Sequence, residues 1–228
     1  MYQGNRDCLK SSDILLCIPA VLNTGTFIMV KSNIKDVSCS SPSSKKRVCV
    51  YVDGANFYGG LTSLNKNFSD LNFDFENYIK YLCKQDRLVQ IYYYNAHIKK
   101  KINDKIWAKQ KKLFDRLRKI PRCKVSLCTR KSRLNILGEE YHTIKGDDIY
   151  LALDMIEDCY NDKYDKIILF SGDGDFTELL KRVKKREKEI EVCYFDNCVS
   201  GALLNQANKV HLINKKITNK FFCRDKEK

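Results

Sequence analysis

Short apolar runs alternate with amphipathic stretches along most of this chain. "RVCVYVD" (47 to 53) has the apolar, β-branched density of a buried strand and ends on Asp53. "FDFENYIKYLCKQ" (73 to 85) sets Phe75, Tyr78, Ile79 and Leu82 on one helical face, and "LVQIYYYNA" (88 to 96) returns to a strand pattern. Between 102 and 120, Ile102, Ile106, Leu113, Leu117 and Ile120 recur near helical spacing, with Pro121 as the stop. "CKVSLC" (123 to 128) reads as a third strand. "KGDDIYLALDMIEDCY" (145 to 160) reads as a helix whose acidic first turn suits the helix dipole. A strand at 165 to 171, a helix at 175 to 188, a strand at 189 to 195, a short helix at 200 to 207 and a strand at 209 to 213 complete the pattern. Such alternation predicts an α/β fold, a three-layer α/β/α sandwich on a mainly parallel sheet.

The Ser/Pro/Lys stretch "SCSSPSSKKR" (38 to 47) reads as a linker. It divides an N-terminal extension, 1 to 46, from a folded unit at 47 to 214, and a charged tail at 215 to 228 is expected to fray. In the extension, "ILLCIPAVL" follows Arg6 and Lys10 in the manner of a signal peptide. Pro19, Asn23, Thr24 and Gly25 interrupt the apolar run, so no span of ~20 residues exists for a membrane helix. A targeting segment and an unrelated extension are the two readings of residues 1 to 45.

Charge narrows the partners. Lys and Arg number 42 against 28 acidic residues, a net +14, which favours a polyanionic partner, either nucleic acid or an acidic membrane face. The 11 cysteines include no CxxC pair and accompany only 3 histidines, so zinc-site spacing is missing. Reduced, largely buried thiols in a cytoplasmic protein fit that count. Since no apolar span is long enough for a membrane helix, no membrane partner is expected.

The carboxylates carry the chemistry. In open α/β sheets ligands bind beyond the carboxyl ends of the strands. Asp53 ends the first predicted strand, Asp173 and Asp175 follow the fourth, and Asp147 and Asp148 open the helix leading into it. Singly, each serves as well as a turn residue or N-cap. Together they predict one acidic site needing a hard cation, Mg²⁺ or Mn²⁺, and on a basic protein such a site suits phosphodiester hydrolysis.

With "VDGANFY" (52 to 58), "KGDDIYLALDM" (145 to 155) and "FSGDGDFTELL" (170 to 180) identified, the chain resembles the NYN domain family of the LabA-like type, in the PIN-like nuclease superfamily. The resemblance runs from about Arg47 to Ile213 and includes "VSGALLNQANKVHLI" as the closing helix and strand. It implies a PIN-like sheet and a metal-dependent ribonuclease. By motif, Asp53, Asp148, Asp173 and Asp175 would be catalytic metal ligands, and Asn56 would orient water or phosphate. Asp147 occupies a position the family often fills with an apolar or small residue. Asp154 matches the acid of "LALDM". Asp148 and Asp154, six apart, do not share a helix face, whereas Asp147 and Asp154 share one but lie ~10 Å apart along the axis. Asp147 and Asp154 are therefore expected in supporting roles behind a metal-facing Asp148, with Asp154 alternatively the partner of a basic group. Asp175 is open between metal ligand and helix cap, and one or two ions could be held.

Residues 99 to 124 carry 12 Lys or Arg against Asp104 and Asp115. Lys99, Lys100, Lys101, Lys105, Lys109, Lys112 and Arg116 are candidates for contact with the RNA backbone, with Arg130, Lys131 and Arg133 extending the charge. The alternative is a solvated helix face, the reading kept for "KRVKKREK" at 181 to 188. "IYYYNAH" (91 to 97) invites base stacking, but alternate strand residues point into opposite layers, so core packing is expected for at least two of the three tyrosines. His97 reads as structural, Trp107 as partly buried and His142 as a weak supporting candidate. The leading function is a Mg²⁺- or Mn²⁺-dependent ribonuclease acting on single-stranded or structured RNA, with a homodimer allowed. Its rival is a catalytically weak RNA-binding module on the same fold.

Overall fold

The computed structural model describes residues 45–98, 100–129, 131–134, 140–143 and 146–223. Residues 1 to 44 of the extension read at 1 to 46 lie outside them, as do Lys99 and Arg130 and the side chains of Lys131, Arg133 and His142.

Eight strands are present among the described residues: β1 (Arg47–Asp53), β2 (Arg87–His97), β3 (Cys123–Thr129), β4 (Lys131–Leu134), β5 (Glu140–Thr143), β6 (Lys166–Phe170), β7 (Glu189–Tyr194) and β8 (Lys209–Leu212). The helices are α1 (Gly54–Leu64), α2 (Phe75–Cys83), α3 (Asp104–Leu117), α4 (Asp147–Tyr160), α5 (Thr177–Lys185), α6 (Gly201–Leu204) and α7 (Lys215–Lys220). Six strands form one sheet in the order β3-β2-β1-β6-β7-β8, and every pairing in it is parallel. The two short strands β4 and β5 pair antiparallel as a separate hairpin.

Strand periodicity sends alternate residues of β1 into two cores. Val48, Val50 and Val52 join Phe57 and Leu61 of α1, Tyr78, Ile79 and Leu82 of α2, and Leu113, Phe114 and Leu117 of α3. Cys49 and Tyr51 join Leu151, Met155 and Cys159 of α4, Leu179, Leu180 and Val183 of α5, and Leu203 of α6. A parallel sheet covered on both faces follows, which is why its strands read as near-continuous apolar runs.

Three features depart from the sequence reading. α1 was not anticipated, because "GANFYGGLTSL" contains three glycines, each a poor helix former. The helix is held by Asp53, which accepts from the backbone N–H of Asn56 at 3.0 Å, and by Phe57 and Leu61, which bury one turn apart. The β4–β5 hairpin was likewise missed. The expected frayed tail is corrected at its start. α7 follows the domain, Asp74 donates its N–H to the Phe221 carbonyl at 2.7 Å, and Phe222 bridges to Phe73. Buried Phe221 closes the first core, so apolar burial outweighs the surrounding lysines.

The tyrosine run resolves by register. Tyr92 and Tyr94 enter the second core and Tyr93 the first, and all three are buried. Tyr51 stacks on Tyr92 with centroids 5.1 Å apart, and both hydroxyls donate to buried Asp158, at 2.8 and 2.7 Å. Lys163 reaches the same carboxylate at 3.0 Å, so the charge is paired. Free cysteines among the described residues are mostly buried, as expected: Cys49, Cys83, Cys128, Cys159 and Cys193.

Candidate functional site

Strand order fixes where the site can form. β1 is central, β2 flanks it on one side and β6 on the other. The chain leaves β1 into α1 on one face of the sheet and leaves β6 toward α5 on the opposite face. Between the carboxyl ends of β1 and β6 the connections therefore diverge, opening a crevice at a topological switch point. Asp53 closes β1, and Ser171, Gly172 and Asp173 follow directly after β6. α4 presents its first turn at the same place. Asp53, Ala55, Asn56, Asp147, Asp148 and Asp173 line one cleft of about 230 Å³.

Local hydrogen bonds hold this edge. Asp53 is buried; one carboxylate oxygen caps α1 and the other accepts from the Ser171 hydroxyl at 3.0 Å. Ser171 Oγ in turn accepts the Asp173 N–H at 3.1 Å, so one buried serine ties the two strand ends together. Asp173 caps the 3₁₀ turn Gly174–Phe176, accepting from the Asp175 N–H at 2.9 Å. Asn56 accepts the Gly172 N–H through Oδ1 at 3.0 Å. Only an oxygen can accept that proton, so the amide orientation is set and Nδ2 keeps two donors for a ligand in the cleft. A Cβ at Gly172 would collide with the backbone carbonyl of Cys198, so close approach, not a left-handed turn, demands glycine there. The left-handed glycine is Gly146, φ 118°, which starts α4 and delivers Asp147 and Asp148.

Crowded carboxylates with little counter-charge dominate the electrostatics. Burial raises the Asp53 carboxyl above its ordinary value, bonds from Asn56 and Ser171 partly offset this, and Asp147 and Asp173 push it further up. Asp148 is pushed up to about 6, first by burial of its carboxylate and then by Asp147, Asp53, Asp173 and Asp175. A hard divalent cation is what such a donor set would accept, since carboxylates and water are the ligands of Mg²⁺ and Mn²⁺. No group of three or more His, Cys, Asp or Glu is drawn together tightly enough to hold an ion among the described residues. The donor chemistry therefore fits, in an open arrangement; Mg²⁺ commonly takes only one or two carboxylates and keeps its waters.

Of the candidates named from sequence, the structure brings Asp53, Asn56, Asp148 and Asp173 together in the cleft lining. Asp147 is corrected. It lines the cleft itself and is the more buried of the pair, 7% exposed, because the helix begins at that residue and turns it inward. Asp154 takes the second of its two readings: it lies outside the cleft lining, accepts from the Tyr94 hydroxyl at 2.7 Å and sits 3.9 Å from basic Lys124. The Asp175 side chain is exposed and lies outside the lining; the residue acts on the cleft through its charge and through its N–H bond to Asp173. Sequence reading missed Ser171, whose one signal was its place between the β6 run and "GDGD".

The basic helix divides. Lys101, Lys105, Lys109 and Lys112 are exposed, and Lys100 lies 3.9 Å from Asp104 and 5.3 Å from the Trp107 ring. Since α3 follows β2, its N-terminal lysines stand at the carboxyl edge of the sheet, while Lys112 is ~10 Å further along the axis than Lys105. Arg116 is corrected: it turns inward and donates to the carbonyls of Leu71 and, at 3.2 Å, Phe73. His97 packs on Phe114 with ring centres 5.8 Å apart, a structural role, and Trp107 is half-buried beside it. No described helix is long and apolar enough to cross a membrane.

Comparison with known proteins places the chain. It is 31% identical over 72 residues to the low amplitude and bright protein LabA of Synechococcus elongatus, a match covering 32% of this chain and 38% of the relative. The chain thus spans well under half of that relative's length. A crystal structure of a protein of unknown function from Vibrio parahaemolyticus superposes with a TM-score of 0.60 at 26% identity, covering 76% of this chain and 96% of that one. The family model for the NYN domain matches residues 47–214, the unit that carries every residue of the cleft and all of both cores but Phe221 and Ile217, and the chain accordingly belongs to the NYN domain family, which includes nucleases.

Proposed function

We propose that this protein is a divalent-metal-dependent ribonuclease whose site is the cleft at the carboxyl ends of β1 and β6. The observation that carries the reading is the crowding of Asp53, Asp147, Asp148 and Asp173 in one cleft of an otherwise basic protein. Such mutual repulsion opposes the folded state and persists where function uses it. Bound by these carboxylates, Mg²⁺ or Mn²⁺ would neutralise a phosphodiester and make water more acidic. Ser171 and the Asn56 N–H hold both oxygens of Asp53 in a fixed orientation. The Nδ2 donors of Asn56 bind a phosphate oxygen or orient the attacking water. Lys100, Lys101 and Lys105, at the same sheet edge, hold the RNA backbone outside the cleft.

The Asp173→Asn variant keeps the cap geometry and is expected to lose Mg²⁺-dependent cleavage of labelled RNA while its thermal unfolding stays cooperative. Full activity in that variant would sink the assignment. A second reading, RNA binding without cleavage, is favoured by the lack of a ready three-ligand group among the described residues. Titrating Mn²⁺ into protein and labelled single-stranded RNA separates the two, since the binding module leaves the RNA whole.

A further inference from the structure

The tyrosines of β2 are spent in the cores, yet two others stand in the open beside the cleft. Tyr58 of α1 is 50% exposed and Tyr150 of α4 is 51% exposed. Each lies three residues beyond a cleft-lining residue of its own helix, Ala55 and Asp147, and so shares that residue's face one turn along. Helical side chains lean toward the N-terminus, here toward the cleft. Tyr150 does so measurably: its ring is the nearest group to the Cβ position of Gly146, at 3.6 Å.

Other exposed tyrosines are covered by a partner. Tyr81 meets Phe221 and Lys220, and Tyr160 lies under Arg186. Among the described residues neither Tyr58 nor Tyr150 stacks on an aromatic ring or a cation. α1 and α4 pack on opposite faces of the sheet, so the two rings flank the crevice from its two sides.

We propose that Tyr58 and Tyr150 are stacking platforms for unpaired bases, one on each side of the scissile phosphate, so that the site takes single-stranded nucleic acid. This rests on the phosphodiester reading of the cleft. Stacking is sequence-tolerant because every base has a π-face, whereas the bases of a duplex are enclosed and cannot reach the rings. The positive lysines of α3 supply backbone attraction but do not distinguish unpaired from paired strands.

The test uses the full chain carrying Asp173→Asn, with Mn²⁺ at fixed salt, and fluorescence anisotropy of a labelled 10-nucleotide oligoadenylate. The comparison ligands are an abasic ribose-phosphate oligomer of equal length and a blunt-ended, fully paired RNA duplex. Tyr58→Ala and Tyr150→Ala should each weaken oligoadenylate binding at least about five-fold, equivalent to ~1 kcal/mol. Tyr58→Phe and Tyr150→Phe should restore it, and abasic and duplex binding should not move. Undiminished oligoadenylate binding by both alanine variants overturns the proposal, as does an equal loss for the abasic oligomer. A changed sedimentation coefficient in Tyr150→Ala also overturns it, because Ile149 and Leu153, exposed beside that ring, would then belong to a protein contact. RNA cleavage by the Asp173→Asn background refutes the proposed chemistry instead, and leaves the base-dependence readable.

Discussion

Asp148 offers the cleanest perturbation of the cleft, because replacing it should raise stability and remove function together. Its carboxyl titrates at about 6 instead of 3.8, raised by burial and by four neighbouring aspartates. A carboxyl whose folded value is raised favours the folded state below its unfolded value and loses that benefit as pH climbs through the folded one. The loss therefore runs from about pH 4 to just above pH 6, and at pH 8 the ionised group opposes folding in full. A shift of that size corresponds to about 3 kcal/mol for a shielded group. Asp148 is exposed overall, and solvent screening reduces the effect to about 1 kcal/mol. Asp148→Asn, with chelator present, should then raise the melting temperature at pH 8 by about 2–4 °C and leave it almost unchanged at pH 4. Differential scanning calorimetry of the two proteins at both pH values measures this directly. A gain of equal size at both pH values, or no gain at pH 8, would refute the electrostatic account of the cleft. With Mg²⁺ or Mn²⁺ added at pH 8, the wild-type protein should recover the deficit by binding the ion, and the variant should respond less.

Gly172→Ala should lower stability by about 2–3 kcal/mol in urea titrations, because its Cβ meets a backbone carbonyl that cannot swing away; a neutral result would mean the β6 loop is not held as described. Arg116→Ala should cost about 1–3 kcal/mol of stability by orphaning the Leu71 and Phe73 carbonyls, yet leave RNA affinity intact. Lys105→Ala should do the reverse, weakening RNA binding and reducing its salt slope by about 1 while the melting temperature holds.

The strands of the large sheet and their order along the chain were legible from residues 47 to 213, since a doubly covered parallel sheet demands the long apolar runs found there. Carboxylates at strand ends were legible for the same reason: a run stops where the chain leaves the core. α1 was not legible, because capping by Asp53 and burial of Phe57 and Leu61 overrule glycine propensity only once the sheet exists.

Sequence by itself thus determined the sandwich and the edge bearing the acids, where Asp53, Asn56, Asp148 and Asp173 line one cleft. Tertiary structure alone decided that Asp147 enters the cleft, that Asp154 serves Tyr94, and that Ser171 couples the two strand ends. It also turned Arg116 inward and left Tyr58 and Tyr150 uncovered. Periodicity names the face a residue occupies, but neighbours from distant parts of the chain decide what that face meets. Charge crowding and stacking depend on that second fact, through distances of a few ångströms that no spacing along one chain contains.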